Sequence, residues 1–332
     1  MINSQDKCAI IGYGSWATAI VKILTENKIN VYWHILNPDV LQSVETEARN
    51  CKYLRDVDLD TNYITTSDDI NQVVDGAKVV ILAMPSAFVK KFMEPLTVSL
   101  DDKFVISAVK GIVPDDYIPI TDYIKNHYGV PENQVAIITG PSHAEEVGLS
   151  RWSYLTAVSR NVEARAIMVE MFTRPYIRVM ESDDIEGVEY AAIMKNIYAI
   201  AVGLANGLGY GDNFIAVLIA NSAAELSRMF ESFGGSTHNA LASACLGDLL
   251  VTCYSTYSRN RRLGLLIGRG CTVRSAMNEM TMVAEGYYAA KCIRHTLAER
   301  NVSMPIVDMV YEVLYHGASA RRKMRELTTK LV

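Results

Sequence analysis

The stretch Cys8-Ala9-Ile10-Ile11-Gly12-Tyr13-Gly14-Ser15-Trp16-Ala17 decides the fold. Four apolar residues run straight into G-x-G-x-x-A, and an amphipathic segment, Trp16–Glu26, follows, so a buried strand is predicted to pass through a glycine turn into a helix. In such a turn the first glycine permits the tight bend and the second lets the backbone approach a pyrophosphate. The small third residue lets the helix pack on the strand. The phosphates then lie on the helix N-terminus, where free N–H groups and the dipole favour anions. A bare glycine pattern also occurs in turns without a ligand; the strand–turn–helix context is what points to dinucleotide binding.

Working outward, short β-branched runs alternate with amphipathic stretches from Lys7 to about Met180, as a parallel sheet with crossover helices requires. Strands are predicted at Cys8–Ile11, Asn30–Ile35, Val79–Ala83, Phe104–Ser107, Val135–Ile138, Tyr154–Val158 and Tyr176–Val179. Helices are expected at Trp16–Glu26, Val40–Ala48, Phe88–Thr97 and Val162–Phe172. After Ser182-Asp183-Asp184, which reads as a helix start, the chain turns rich in Ala, Leu, Ile and Met, with few β-branched runs. The expected division is 1–184, a dinucleotide-binding α/β Rossmann-like domain, and 185–332, an all-α substrate and catalytic domain.

The 332 residues carry 32 Lys+Arg against 37 Asp+Glu, a net charge of −5. Residues 1–186 hold 17 cations and 26 anions (−9) and residues 187–332 hold 15 and 11 (+4), so side-chain chemistry toward anions should lean on the second half. The run Ser258-Arg259-Asn260-Arg261-Arg262 lacks the aromatic interleaving of a nucleic-acid surface, and the chain is net negative, so no nucleic-acid partner is expected. Six scattered cysteines show no metal-ligand spacing, which predicts a reducing compartment and no metal. Met1–Asp6 lacks the pattern of a signal peptide, and no uncharged apolar run approaches the ~20 residues that cross a bilayer. A cytoplasmic protein without a transmembrane segment is the expectation.

Two lysines stand out. Lys110 follows a predicted strand, at the edge where open α/β sheets bind ligands. Lys195 shares a helical face with Ala191, Ala192 and Ala199; burying that face would lower its pKa toward the range in which an amine exchanges protons at neutral pH. The end of the second strand, Tyr32-Trp33-His34-Ile35-Leu36-Asn37, carries neither the acid that reads a ribose 2′-hydroxyl nor the Arg that accommodates a 2′-phosphate. Asp39 comes late, in a predicted helix.

These elements sit within a longer series: Gly12-x-Gly14-Ser15-Trp16-Ala17, Met84-Pro85-Ser86, Ser107-Ala108-Val109-Lys110-Gly111, Gly140-Pro141-Ser142, Gly187-Val188-Glu189 with Lys195-Asn196, Gly207–Asn213, Gly247-Asp248-Leu249, Ser258–Arg262 and Glu285-Gly286. In order and spacing, from about Lys7 to Leu314, the series resembles NAD(P)-dependent glycerol-3-phosphate dehydrogenase of the bacterial type. The resemblance implies a Rossmann-like domain followed by a helical domain like the C-terminal one of 6-phosphogluconate dehydrogenase, with the active site in a cleft between them. It implies reversible reduction of dihydroxyacetone phosphate to sn-glycerol 3-phosphate, supplying the glycerophospholipid backbone, and a homodimer. By resemblance, Lys195 is the proton donor and acceptor, supported by Lys110. Gly12, Gly14, Ser15, Trp16, Tyr53, Lys110, Ala144, Arg259, Val283 and Glu285 contact NAD(H) or NADP(H). Lys110, Gly140, Ser142, Lys195, Asp248, Ser258, Arg259 and Asn260 contact substrate, Arg259 and Asn260 at its phosphate. Asp248 either holds a lysine ammonium or accepts a substrate hydroxyl.

One departure matters. Where many family members have a basic residue after the second strand, Leu36 stands here, with His34 and Arg49 the nearest cationic candidates, so NADH is expected to serve at least as well as NADPH. Two rival readings accompany this one. A related two-domain dehydrogenase of a 3-hydroxy acid or sugar acid would not be expected to share Ser258–Arg262, and a non-catalytic NAD-binding sensor would be expected to lack Lys110 or Lys195. The apolar stretches near the C-terminus are expected to be exposed and to serve dimerisation.

Overall fold

The computed structural model describes residues 6–233, 238–280, 282–297, 300 and 302–332; most of the N-terminal stretch Met1–Asp6, in which no signal peptide is expected, lies outside them. The chain forms two compact units. One runs to Val109 and resumes over Ile120–Ile185; the other comprises Lys110–Pro119 and Glu186–Val332.

The first unit begins β1 (Cys8–Ile11), α1 (Ser15–Glu26), β2 (Val31–His34), α2 (Pro38–Glu47), β3 (Ile64–Ser67), α3 (Ile70–Val74), β4 (Val79–Leu82), α4 (Val89–Met93) and β5 (Phe104–Ser107). The chain then contributes a hairpin, β6 (Ile112–Val113) and β7 (Ile118–Pro119), to the second unit. It returns with α5 (Ile120–Tyr128), β8 (Val135–Thr139), α6 (Ala144–Gly148), β9 (Ser153–Val158), α7 (Val162–Phe172) and β10 (Ile177–Ser182). Among the described residues these strands make an 8-stranded sheet in the order β10-β9-β8-β5-β4-β1-β2-β3. Every residue of β1 and β4 is buried, as central strands covered on both faces must be.

The sheet is parallel except where β9 runs antiparallel to β8, a correction to the all-parallel expectation. The 5-residue α6, about 8 Å long at 1.5 Å per residue, is too short to run back along a strand as a crossover helix does. Edge strand β3, half-exposed and made of Ile64-Thr65-Thr66-Ser67, has too little apolar pattern to be predicted. The helix expected over Phe88–Thr97 shortens to Val89–Met93, since Pro95 disfavours helical geometry at the residue before it.

The second unit continues with α8 (Ile185–Gly207), α9 (Asp212–Ser232), a π-helical turn (Ser243–Gly247), α10 (Asp248–Tyr254), α11 (Arg259–Gly268), α12 (Val273–Glu279), α13 (Glu285–Thr296), α14 (Pro305–Tyr315) and α15 (Ala320–Thr328). Helix α8 is long and apolar enough to cross a membrane by length and composition, but that window is wholly buried, and every residue from Gly187 to Ala205 is buried; it is a core helix. Where α8 meets α11 the backbones touch. A Cβ on Gly203 would lie 2.1 Å from Arg261 O, and one on Gly264 2.1 Å from Ile200 O; Gly207 and Gly268 repeat the contact at 2.5 Å one turn on. Glycines four apart on both helices permit this approach. The C-terminal apolar stretches are not exposed as expected: α14 buries Ile306, Val307, Val310 and Leu314. An amphipathic helix turns that stripe to the core. The exposed large apolar side chains of this unit include Val217, Leu250, Tyr254 and Tyr257.

Candidate active site

In the first unit, the glycine turn has the form read from the sequence. Gly12 has φ +114, and a Cβ there would lie 2.4 Å from Ala83 O, so only glycine fits. The buried Trp33 indole donates to Gly12 O at 2.7 Å and fixes the turn from below. Gly14 faces open space, with nothing within 4 Å of an added Cβ. Helix α1 starts there with no side-chain cap and no acidic residue in its first turn, and the Trp16 Nε1 N–H is buried without a partner. An anion is what such a helix start lacks, so Gly12, Gly14, Ser15 and Trp16 fit a dinucleotide pyrophosphate.

A residue the sequence reading passed over organises the neighbouring loop. Asn50 is fully buried; its Nδ2 donates to Tyr13 O at 3.0 Å and Thr18 Oγ1 at 2.8 Å, while its Oδ1 accepts from the backbone N–H groups of Lys52 (3.1 Å) and Tyr53 (3.0 Å). One amide side chain thus pins Tyr53 beside the glycine turn, where its ring lies 6.2 Å from that of Tyr13. Leu36 is exposed at 40%. The two cations expected near it are committed elsewhere. His34 is buried, with Nε2 against Asp68 O, and burial holds its imidazole pKa below the usual value; Arg49 is paired with Asp58 at 2.7 Å. The cation tied to the start of α2 is Lys52, at 2.8 Å from Asp39 and 3.1 Å from Asn37.

The turn after β8 carries the next group. Gly140 has φ +130, and its missing Cβ leaves room for Tyr154 O, which would otherwise lie 2.6 Å away. Ser142 Oγ donates to Gly140 O at 3.1 Å, and Ala144 opens α6.

In the second unit the candidate charged side chains converge. Lys195 projects from α8 and is 6% exposed; Asp248, at the first position of α10, is 1% exposed. Lys195 Nζ donates to Asp248 Oδ1 at 2.6 Å and to Thr252 Oγ1 at 3.1 Å. Lys110, in the segment that leaves β5 for this unit, donates to the other carboxylate oxygen, Oδ2, at 3.0 Å. Asp248 therefore holds both ammonium groups, the first of the two roles left open by the sequence. Burial pulls the Lys195 pKa down to about 7, against the opposing pull of Asp248. Burial works to raise the Asp248 carboxyl, and the two lysines outweigh it, so the group stays below the usual carboxylate range.

An amide relay fixes the surroundings. Asn196 donates to Lys110 O at 2.8 Å and accepts from Asn260 Nδ2 at 2.8 Å, and Asn260 Oδ1 accepts from Gly286 N at 2.9 Å. Both ends of the Asn260 amide are thus spoken for, leaving one side-chain N–H for any ligand. Ser258 caps α11 by accepting from Arg261 N at 3.2 Å, and Arg259 opens that helix. Val283 and Glu285 flank the start of α13. Thr252 and Asn50 are the residues sequence reasoning missed. Thr252 carries a helical signal, four residues after Asp248 on one face; Asn50 carries none. Among the described residues, no group of three or more His, Cys, Asp or Glu is arranged to hold a metal ion.

The family model of the NAD-dependent glycerol-3-phosphate dehydrogenase N-terminus matches residues 7–165, and that of its C-terminus residues 184–325. Glycerol-3-phosphate dehydrogenase (NAD(P)+) of Staphylococcus aureus (strain JH9) is 35% identical over 97% of both chains. The protein of that name from Clostridium perfringens (strain SM101 / Type A) is 35% identical over 95% of both. The crystal structure of glycerol-3-phosphate dehydrogenase from Coxiella burnetii is similar with a TM-score of 0.90 at 28% identity, covering 98% of this chain and 99% of that one.

Proposed function

Because the chain belongs to the NAD-dependent glycerol-3-phosphate dehydrogenase family, we propose that Lys195 is the residue that moves the proton in its reaction. That reaction is the reversible NAD(P)H-dependent reduction of dihydroxyacetone phosphate to sn-glycerol 3-phosphate. The observation that carries the proposal is the buried Lys195 ammonium held at 2.6 Å by a carboxylate that also holds Lys110 at 3.0 Å.

When bound, the nicotinamide supplies a hydride to C2 of the substrate. The carbonyl oxygen then becomes an alkoxide, and Lys195 stabilises that charge and hands over its proton; in the other direction the neutral amine takes it back. A pKa of about 7 suits both directions. Lys110 adds a second positive charge beside the developing anion, and Asp248 orients both lysines. Arg259, with the N–H groups at the start of α11 and the remaining amide N–H of Asn260, is suited to the substrate phosphate. Gly140, Ser142 and Lys110 are assigned to the rest of the substrate. Gly12, Gly14, Ser15, Trp16 and Tyr53 are assigned to the pyrophosphate and adenosine of the cofactor, Ala144, Val283 and Glu285 to its nicotinamide half, and Lys110 and Arg259 to further cofactor contacts. NADH should serve at least as well as NADPH, because Leu36 offers no charge to a 2′-phosphate and neither His34 nor Arg49 replaces it.

In this division of labour, 1–184 binds dinucleotide and 185–332, joined by Lys110, carries substrate chemistry. The six free cysteines suit a reducing, cytoplasmic setting, and the exposed apolar side chains around α9 and α10 support a homodimer. Loss of NADH absorbance on adding dihydroxyacetone phosphate tests the reading. Activity that survives Lys195→Ala would remove Lys195 from its role.

A further inference from the structure

We infer that Asp39, through its hold on Lys52, makes the cofactor site discriminate against a ribose 2′-phosphate. This rests on the dinucleotide assignment above and names the residues that set cofactor choice.

The loop Asn50–Tyr53 is fastened to the glycine turn by the four hydrogen bonds of the buried Asn50, two of them to Tyr13 O and Thr18 Oγ1. Lys52 is thereby held next to the cradle that takes the pyrophosphate. Its ammonium reaches across to the first turn of α2, donating to Asp39 Oδ2 at 2.8 Å and Asn37 Oδ1 at 3.1 Å. Asn37 is itself fixed, because Oδ1 accepts from Val40 N at 3.1 Å and caps α2. In a sheet of this kind the residues just past the second strand meet the ribose 2′ position. Here they are the exposed Leu36, Asn37 and the Asp39–Lys52 pair.

A 2′-phosphate brings about −1.5 to −2 charges. It needs a cation that is not already neutralised, and it is repelled by a fixed carboxylate. The pair presents no net charge, and its carboxylate stands on the α2 side. A 2′-hydroxyl meets no such penalty and finds acceptors in Asn37 and Asp39. Because the pair is exposed on both sides, with side-chain exposures of 41% and 69%, removing Asp39 does not bury an orphan charge. It frees Lys52 for the phosphate, so a single substitution should change preference without damaging the fold.

The test is equilibrium binding, independent of turnover. NADH and NADPH are titrated by fluorescence into wild type, Asp39→Asn, Lys52→Met and the double variant. Calorimetry with 5′-ADP and 2′,5′-ADP repeats the comparison without a nicotinamide. Wild type should bind NADH more tightly than NADPH. Asp39→Asn should close that gap roughly tenfold, by tightening NADPH and 2′,5′-ADP, as expected of one charge contact near water. The gain should shrink in high salt and vanish when Lys52→Met is added. An NADPH:NADH affinity ratio unmoved by Asp39→Asn, or a gain that persists without Lys52, overturns the inference while leaving the cofactor assignment intact. If wild type binds neither dinucleotide, that assignment falls and the inference with it.

Discussion

At the scale of single residues the proposed chemistry rests on one carboxylate between two lysines. Taking one lysine proton as the reacting group, the rate of reduction requires Lys195 charged, so kcat/KM for dihydroxyacetone phosphate should fall as pH rises through about 7. Oxidation of sn-glycerol 3-phosphate should fall as pH drops through the same value. Asp248 opposes the lowering of the Lys195 pKa; Asp248→Asn should therefore move the descending limb of the reduction profile to lower pH, and a profile that stays put or moves up would contradict the arrangement. Lys195→Met should cost a factor of about 10²–10⁴ in kcat, the usual worth of a positioned acid–base group, while NADH binding measured by fluorescence is kept. Ala191, Ala192 and Ala199 mark the helical face of Lys195 as closely packed in the sequence alone, while the role proposed for it comes from the family motifs. Its partners Asp248 and Thr252 lie 53 and 57 positions away, a separation no local pattern spans.

At the scale of elements, two contacts shape the site. The first is the crossing of α8 and α11, where carbonyls occupy the space of four absent Cβ atoms. Gly203→Ala or Gly264→Ala must push the helices apart, and with them the Asn196–Asn260 hydrogen bond of 2.8 Å. We expect a loss of about 1–3 kcal/mol, the usual cost of overpacking, read as a lower urea midpoint, together with a raised KM for dihydroxyacetone phosphate. The second is the indole bond from Trp33 to Gly12 O. Trp33→Phe leaves that buried carbonyl without its partner, at a cost of about 1–3 kcal/mol, and should weaken NADH binding; an unchanged dissociation constant would mean that the turn holds itself. Both glycine pairs are visible in the sequence as Gly203/Gly207 and Gly264/Gly268, yet a helical glycine announces only that something lies close. What lies there is a matter of packing.

At the scale of the whole molecule, a net charge of −5 argues for indifference to anions, yet both ligands of the reaction are anionic. In the proposed assignment the two units resolve this differently: the first relies on backbone N–H groups at the start of α1, the second on Lys110, Lys195 and Arg259. Saturation with NADH should accordingly raise the thermal midpoint, by an amount equivalent to about 2.7 kcal/mol at a hundredfold excess over the dissociation constant. Sedimentation should report twice the 36.8 kDa chain mass if the proposed dimer forms. By itself the sequence determined the strand–turn–helix opening, the positions of most strands along the chain, the change to helices near residue 185 and the closely packed helical face that carries Lys195. These depend on periodicity and on steric needs within a few residues. Only the tertiary structure decided that β9 reverses against β8, that Lys110–Pro119 joins the second unit, that Asn50 pins the loop beside the glycine turn and that Asp248 serves both lysines. Each of these is a pairing between distant positions, settled by which surfaces and polar groups can satisfy one another once the chain is packed.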